Sequence, residues 1–157
     1  MLVLDLSKQV NALRNNNPER MLEFRHRVSY VGQVMIARKF GDKLSLQLTP
    51  TYIHRNLVPT EEDDNDLLSV GIGGRVKLTK RFSINAEYFY QVNTIESLNS
   101  FDAVALGVDI ETGGHVFQLS FTNARPMIET GFINEVTDDF FGGDIRFGFN
   151  ISRVFQF

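Results

Sequence analysis

The chain contains no cysteine and no tryptophan among its 157 residues. The lack of cysteine excludes disulfides, thiolate nucleophiles and zinc sites built on thiolates. No apolar run reaches about 18 residues, the length that a transmembrane helix requires. The net charge of −3 gives no electrostatic basis for binding nucleic acid, because domains that bind it are usually basic. These absences do not exclude a β-barrel fold, because a barrel strand needs only about ten residues of alternating apolar and polar pattern.

Seven stretches between residues 21 and 157 alternate apolar with polar residues. In the second stretch, Leu44, Leu46 and Leu48 alternate with Ser45 and Gln47. Successive side chains of a strand point to opposite faces, so each stretch predicts a strand with one apolar and one polar face, and the period of two argues against a helix. The apolar set predicted to face lipid includes Val28, Leu46, Val70, Ile84, Leu106, Leu119 and Phe149.

The connections between these stretches alternate short with long. The short ones are Gly41-Asp42, residues 79–81 and Gly113-Gly114, and the long ones are residues 59–66, 94–100 and 123–142. This is the plan of an outer-membrane barrel, which keeps short turns in the periplasm and long loops outside. We therefore predict an all-β fold, an antiparallel up-and-down transmembrane β-barrel or the C-terminal part of a larger one. Residues 21–157 would supply the strands, and residues 1–20 an irregular N-terminal segment or loop.

The number of predicted strands bears on how the sheet closes. Seven is odd, whereas single-chain bacterial barrels have an even number. An open edge would leave backbone groups unpaired in lipid, where each costs several kcal/mol. Either residues 1–6 form a short eighth strand, or strands from an upstream segment or from another copy close the sheet. Residues 2–6 are too short to span a membrane, so we predict the second arrangement.

Five segments carry a resemblance to a known family, namely residues 36–40, 44–48, 54–56, 113–123 and 142–155. They resemble a Bacteroidota-type family of outer-membrane β-barrel proteins of unassigned function, and the resemblance covers most of residues 21–157. It implies a barrel in the outer membrane of a Gram-negative, Bacteroidota-like bacterium, with this chain as a C-terminal portion, and it supplies no catalytic residues. Asn150, Phe155 and Phe157 also resemble the terminal signal of such barrels, which implies the barrel-assembly machinery as a partner.

The charged residues of the polar set are the candidates for lining a lumen. They are Arg25, Arg27, Arg75, Lys77, Glu87, Asp109, Glu111, Asp144 and Arg146. They would form either a salt-bridged, plugged interior or a polar passage or ligand cavity. About eight strands leave an interior just filled by side chains, whereas about 16 leave a channel. Seven strands favour the plugged interior, and a parent barrel of twice the size would favour the passage.

The long connections are the expected place for recognition, because rigid barrels usually carry function on such loops. We expect them to lie together at one end and to be mobile, with Phe140 and Phe141 as the exposed contact point. No metal or cofactor is predicted. His26, His54 and His115 lack ligand spacing, and the acidic run 61–66 lacks the oxygen pattern of an EF-hand loop.

Together these features predict a non-enzymatic, porin-like outer-membrane protein with a transport, pore or structural role. Its partners would be the lipid bilayer, the assembly machinery and the strands that close the sheet, and not nucleic acid. The main alternative is a soluble β-barrel or sandwich that binds a ligand and uses its phenylalanine-rich face as a core. A weaker alternative is a barrel enzyme whose catalytic residues lie in the outward loops.

Overall fold

In a computed structural model of the chain, the described residues are 2–4, 28–60, 62–126 and 128–153. Arg25, Arg27, Phe155 and Phe157 lie outside them. Within these ranges the backbone forms nine strands, β1 Leu2–Leu4, β2 Val28–Gln33, β3 Ile36–Phe40, β4 Leu44–Arg55, β5 Asp66–Lys77, β6 Phe82–Gln91, β7 Ala103–Thr112, β8 His115–Thr122 and β9 Arg146–Arg153. A short 3₁₀ helix, Glu96–Leu98, and an α-helix, α1 Glu129–Asn134, lie in the second and third long connections.

The strands form one antiparallel sheet in the order β1-β2-β4-β5-β6-β7-β8-β9, with β3 also paired to β4. The sheet curls into a half-barrel, which confirms the predicted all-β antiparallel fold. β1 lies in the segment predicted to be irregular, and it pairs with β2. Among the described strands, β1 and β9 form the two edges and do not pair with each other.

β2 and β3 are two halves of one predicted strand. Gln33 lies opposite Thr51 and Ile36 lies opposite Leu48, so the register does not change across the gap. The amide of Val34 donates to the carbonyl of Pro50 at 3.1 Å. Proline has no N–H to return that bond. The ladder is therefore interrupted opposite Pro50 while the strand continues in the same direction.

The two faces of the sheet differ as the alternation predicts. One face, called the outer face here, carries exposed large apolar side chains: Leu46, Leu48, Ile72, Val76, Leu106, Phe147 and Phe149. The inner face carries the alternate residues, which are mainly small, polar or charged. Phe147 is 63% exposed, so the outer face is not the core of a closed sandwich. Val28 has the parity of the outer face but is only 5% exposed, and in this it differs from the prediction.

The buried core lies at the end of the inner face where the long connections meet. Ile53 and Leu67 from the strands pack with Ile95 and Ile133 from the connections, and all four side chains are 0% exposed. The connections are tied together as well, since Phe101 donates its amide to the carbonyl of Val136 at 2.7 Å. The long connections lie together as predicted, but they form a packed layer because their own apolar side chains need burial.

Candidate functional site

A polar network crosses the inner face toward the short-turn end. Arg75 of β5 forms an ion pair through Nη2 with Asp109 Oδ2 of β7 at 3.2 Å, and the same Nη2 donates a hydrogen bond to Glu111 Oε1 at 3.4 Å. Its Nε also donates to Ser83 Oγ of β6 at 3.0 Å. Alternate residues along a strand point to the same face of the sheet. The side chains of Arg75, Asp109 and Glu111 therefore meet on the inner face. The positive charge of Arg75 is therefore matched by carboxylates two strands away.

The network continues to the edge of the sheet through two amides. Gln118 donates from Nε2 to Asp109 Oδ1 at 3.2 Å, and Asn150 donates from Nδ2 to Gln118 Oε1 at 2.9 Å. Asp109 is 6% exposed, so its charge depends on these partners for solvation. A continuous set of hydrogen bonds thus joins β5 to β9 across the inner face.

A second charged group, the Asp138 cluster, holds the third long connection against the sheet. Arg125 binds both carboxylate oxygens of Asp138, with Nε–Oδ2 at 3.1 Å and Nη2–Oδ1 at 2.9 Å. Arg146, the first residue of β9, donates to Oδ2 from Nε at 3.0 Å and from Nη2 at 2.5 Å. Hydrogen bonds from Arg125 and then Arg146 lower the pKa of Asp138 to about 2. The same contact with Asp138 raises the pKa of Arg125.

A third ion pair fixes the other side of the connection. Arg55, the last residue of β4, binds Glu135 Oε1 through Nη1 at 2.5 Å and the carbonyl of Thr130 through Nη2 at 2.7 Å. The side chains of Arg55 and Glu135 are only 8% and 20% exposed. A buried pair of this kind is costly to break, because the remaining charge would lack a partner. Arg55 therefore anchors the segment around α1 to the sheet.

The predicted lumen residues separate into distinct environments. Arg75, Asp109 and Glu111 meet in the polar network, while Arg146 belongs to the Asp138 cluster. Lys77 ends β5 with the inner-face parity, and Arg25 and Arg27 lie outside the described residues.

Asp144 requires a correction, since it is not on a strand. β9 begins only at Arg146, and the amide of Asp144 donates to the carbonyl of Asp139 at 3.0 Å. The turn of residues 140–143 extends the third connection beyond its predicted end at Gly142. Asp144 therefore shapes this connection, and the expected strand position is wrong.

Glu87 lies between the polar network and the Asp138 cluster. Within the described part of the chain its carboxylate has no hydrogen-bonding or ionic partner. It borders two adjoining cavities of about 370 and 330 Å³, which also share Ala105 and Ser120. Its cross-strand neighbours Gly73 and Ala105 and the nearby Ser120 are small, which leaves space at this level of the inner face.

Phe89 is an inner-face residue that the sequence analysis missed. Its ring meets that of Phe132 from the third connection edge to face, with the centroids 5.3 Å apart. Phe89 lies between Tyr88 and Tyr90, and an aromatic on both faces of one strand obscures the alternation. Gly71 is the sequence feature that indicates the inward position of Phe89, because it lies directly opposite Phe89 and has no side chain to occupy that space.

The two residues of the predicted contact point differ in exposure, since Phe140 is half-buried and Phe141 is exposed. Phe141 is 84% exposed, and its ring stands edge-on to that of Phe140 at 5.6 Å between centroids. In the part of the chain that the structure describes, no group of three or more histidine, aspartate or glutamate residues could hold a metal ion. No helix in those ranges is long and apolar enough to cross a membrane.

The chain is similar to a known protein family, although not to individual known proteins. No curated protein and no solved structure matches the chain. Residues 2–155 match the family described as "Membrane bound beta barrel domain (DUF5777)". This agrees with the resemblance noted in the sequence and with the apolar outer face. The chain therefore belongs to this family of membrane-bound β-barrel domains.

Proposed function

We propose that this domain is a non-enzymatic outer-membrane barrel with a structural or gated transport role, in a Gram-negative, Bacteroidota-like bacterium. Its long connections would close the outer end of the barrel. The packing of the long connections against the sheet supports this closure.

The packed layer over the inner face carries the proposal. Ile95 and Ile133 come from two different connections, and both are fully buried against Ile53 and Leu67 of the sheet. Burial of a large aliphatic side chain stabilises by about 1.5–3 kcal/mol. Arg55 and the Asp138 cluster add ion pairs at two further points of the same layer. A layer held in this way supports a barrel that stays closed in its resting state.

Bilayer conductance tests this closure. The full chain reconstituted in a planar bilayer should show little steady conductance, whereas Ile133→Asp should open it because a buried charge cannot remain in the apolar layer. Ile128→Asp is the matched control, since Ile128 lies in the same connection and is 45% exposed. A large steady conductance of the wild-type protein would contradict the proposed closure.

The orientation in the outer membrane has its own test. The chain has no cysteine, so single-cysteine variants can be labelled without background. Phe141→Cys in the third connection should react with an impermeant maleimide on intact cells. Asp42→Cys, in the short turn after β3, should react only after the outer membrane is permeabilised. Labelling in the reverse order would overturn the orientation.

We further propose that the barrel-assembly machinery inserts the chain and that additional strands, from an upstream segment or a second copy, complete the sheet. The open order of the described strands supports this, since unpaired backbone groups are costly in lipid. The mass of the protein in lipid nanodiscs separates the two sources. A dimer indicates a second copy, and a monomer that gains stability only in a longer chain indicates an upstream segment. A stable closed monomer of residues 1–157 would contradict both.

A further inference from the structure

A cleft of about 330 Å³ lies on the inner face beneath the third long connection. Phe89 and Phe132 form its aromatic wall, and Ala103, Ala105 and Pro126 also line it. This volume falls in the range of sites for small molecules, which are mostly apolar with a few polar groups. The cleft is therefore shaped for a small ligand with an apolar body.

Glu87 gives this cleft a negative charge. Its carboxylate lines the cleft and has no ionic or hydrogen-bonding partner among the described residues. The cationic side chain on the same cleft is Arg125, which is already bound to Asp138 through Nε and Nη2. Arg75, the inner-face arginine of the polar network, is matched by Asp109 and Glu111. Glu87 thus lies between the polar network, in which one arginine meets two carboxylates, and the Asp138 cluster, in which two arginines share one carboxylate.

The surroundings of Glu87 leave its carboxylate accessible. Gly73 lies directly opposite Glu87 on β5 and has no side chain to cover the carboxylate, although an added β-carbon there would lie 3.5 Å from Glu87 Cγ and 3.8 Å from Glu87 Oε1. Ala105, on the other side, is its partner on β7. The adjoining cavity of about 370 Å³ also reaches Glu87, so a ligand can approach along the inner face.

We propose that this cleft binds a small organic cation, with its apolar body against Phe89 and Phe132 and its ammonium group at Glu87. An ammonium group donates charge-assisted hydrogen bonds to a carboxylate, and the faces of aromatic rings attract cations. Glu87, Phe89 and Phe132 act as the binding residues. Ligand binding at this cleft does not depend on the proposed closure of the barrel, and it can be measured without conductance.

Benzylamine and benzyl alcohol are a matched pair of probes that differ in charge. The full chain in detergent micelles is titrated with each by calorimetry, with empty micelles as the blank. Benzylamine should bind with a saturable isotherm at least tenfold more tightly than benzyl alcohol, and benzoate should not bind. Equal binding of benzylamine and benzyl alcohol, or no saturable binding of benzylamine, would overturn the proposal.

Two variants locate the site. Glu87→Gln should weaken benzylamine binding at least tenfold and leave benzyl alcohol unchanged, whereas Glu96→Gln, in the exposed 3₁₀ helix, should leave both unchanged. Ala105→Leu should block both probes, because it fills the cleft without altering its charge. Circular dichroism tests whether each variant is folded. If only one of Glu87→Gln and Ala105→Leu folds, that variant is sufficient for the test. Unchanged benzylamine binding in a folded Glu87→Gln or Ala105→Leu protein would exclude this cleft.

Discussion

The ring of Phe89 lies over Gly71 on the neighbouring strand, where a β-carbon on the glycine would overlap the aromatic ring. The two residues are directly paired between β5 and β6. Phe89 in turn meets Phe132 of the third connection edge to face. The missing side chain at position 71 therefore allows one aromatic ring to connect the sheet to the layer that covers it.

Gly71→Ala should destabilise the protein, because the methyl group displaces the Phe89 ring and disturbs its contact with Phe132. Overpacking of this kind costs about 1–3 kcal/mol. Gly32→Ala is the matched control, since a β-carbon at Gly32 meets nothing within 4 Å. Urea unfolding in detergent, followed by circular dichroism, measures both. Equal free energies of unfolding for the two variants would contradict the role of Gly71.

The strands could be predicted from the sequence because the period of two is local and repeated. Leu44, Leu46 and Leu48 alternate with polar residues, and the structure places them on the outer face opposite Val76, Gly74 and Ile72. Short turns join neighbouring strands, so the order of the sheet followed from the order of the chain. The glycine pair Gly113-Gly114 marks one of those turns, and both of its residues have positive φ.

The layer over the inner face could not be predicted by the same reasoning. Ile95, Ile133 and Val136 lie in connections where no period relates one apolar residue to the next. Their burial depends on contacts between segments that are far apart in the chain, such as Arg55 with Glu135. Arg75 and Asp109 meet on the inner face, but their pairing depends on strand register, which alternation alone does not give.

Arg55→Met should loosen the third connection, because Glu135 and the carbonyl of Thr130 lose their buried partner. Breaking a buried ion pair from one side costs about 3–5 kcal/mol. Limited proteolysis of the folded protein should then cut near α1 earlier than in the wild type. Lys39→Met removes an exposed pair with Asp42, at 3.8 Å, and should change nothing measurable. An unchanged cleavage rate in Arg55→Met would show that Arg55 does not anchor the segment.

Acidification should release the third connection at the Asp138 cluster. The pKa of Asp138 is lowered to about 2, so its contribution to stability is present above the ordinary carboxyl pKa of about 3.9 and is lost as the pH falls toward 2. Pepsin digestion between pH 4 and pH 2 should therefore cut the connection increasingly fast. Asp138→Asn should be cut fast across the whole range.

Asp42→Asn, in the exposed short turn, is the control for that experiment and should follow the wild type. If Asp138→Asn kept the wild-type dependence on pH, another group would be responsible. Asp63 would be tested next, since burial raises its pKa but hydrogen bonds from Ser97 and Thr60 outweigh this and lower it, so acid would also loosen its contact between the first two long connections.

Charged substitutions on the two faces of β7 should separate a membrane barrel from a soluble module. Leu106 is 43% exposed on the outer face, and Ala105 beside it faces inward. In lipid, Leu106→Lys should cost about 2–4 kcal/mol, because the charge enters the hydrocarbon region. Ala105→Lys should cost less, since its ammonium group reaches the polar interior near Glu87. Urea unfolding in lipid vesicles measures the difference. A soluble protein would tolerate lysine at an exposed leucine, so a Leu106→Lys variant as stable as the wild type would contradict the assignment of the outer face to lipid.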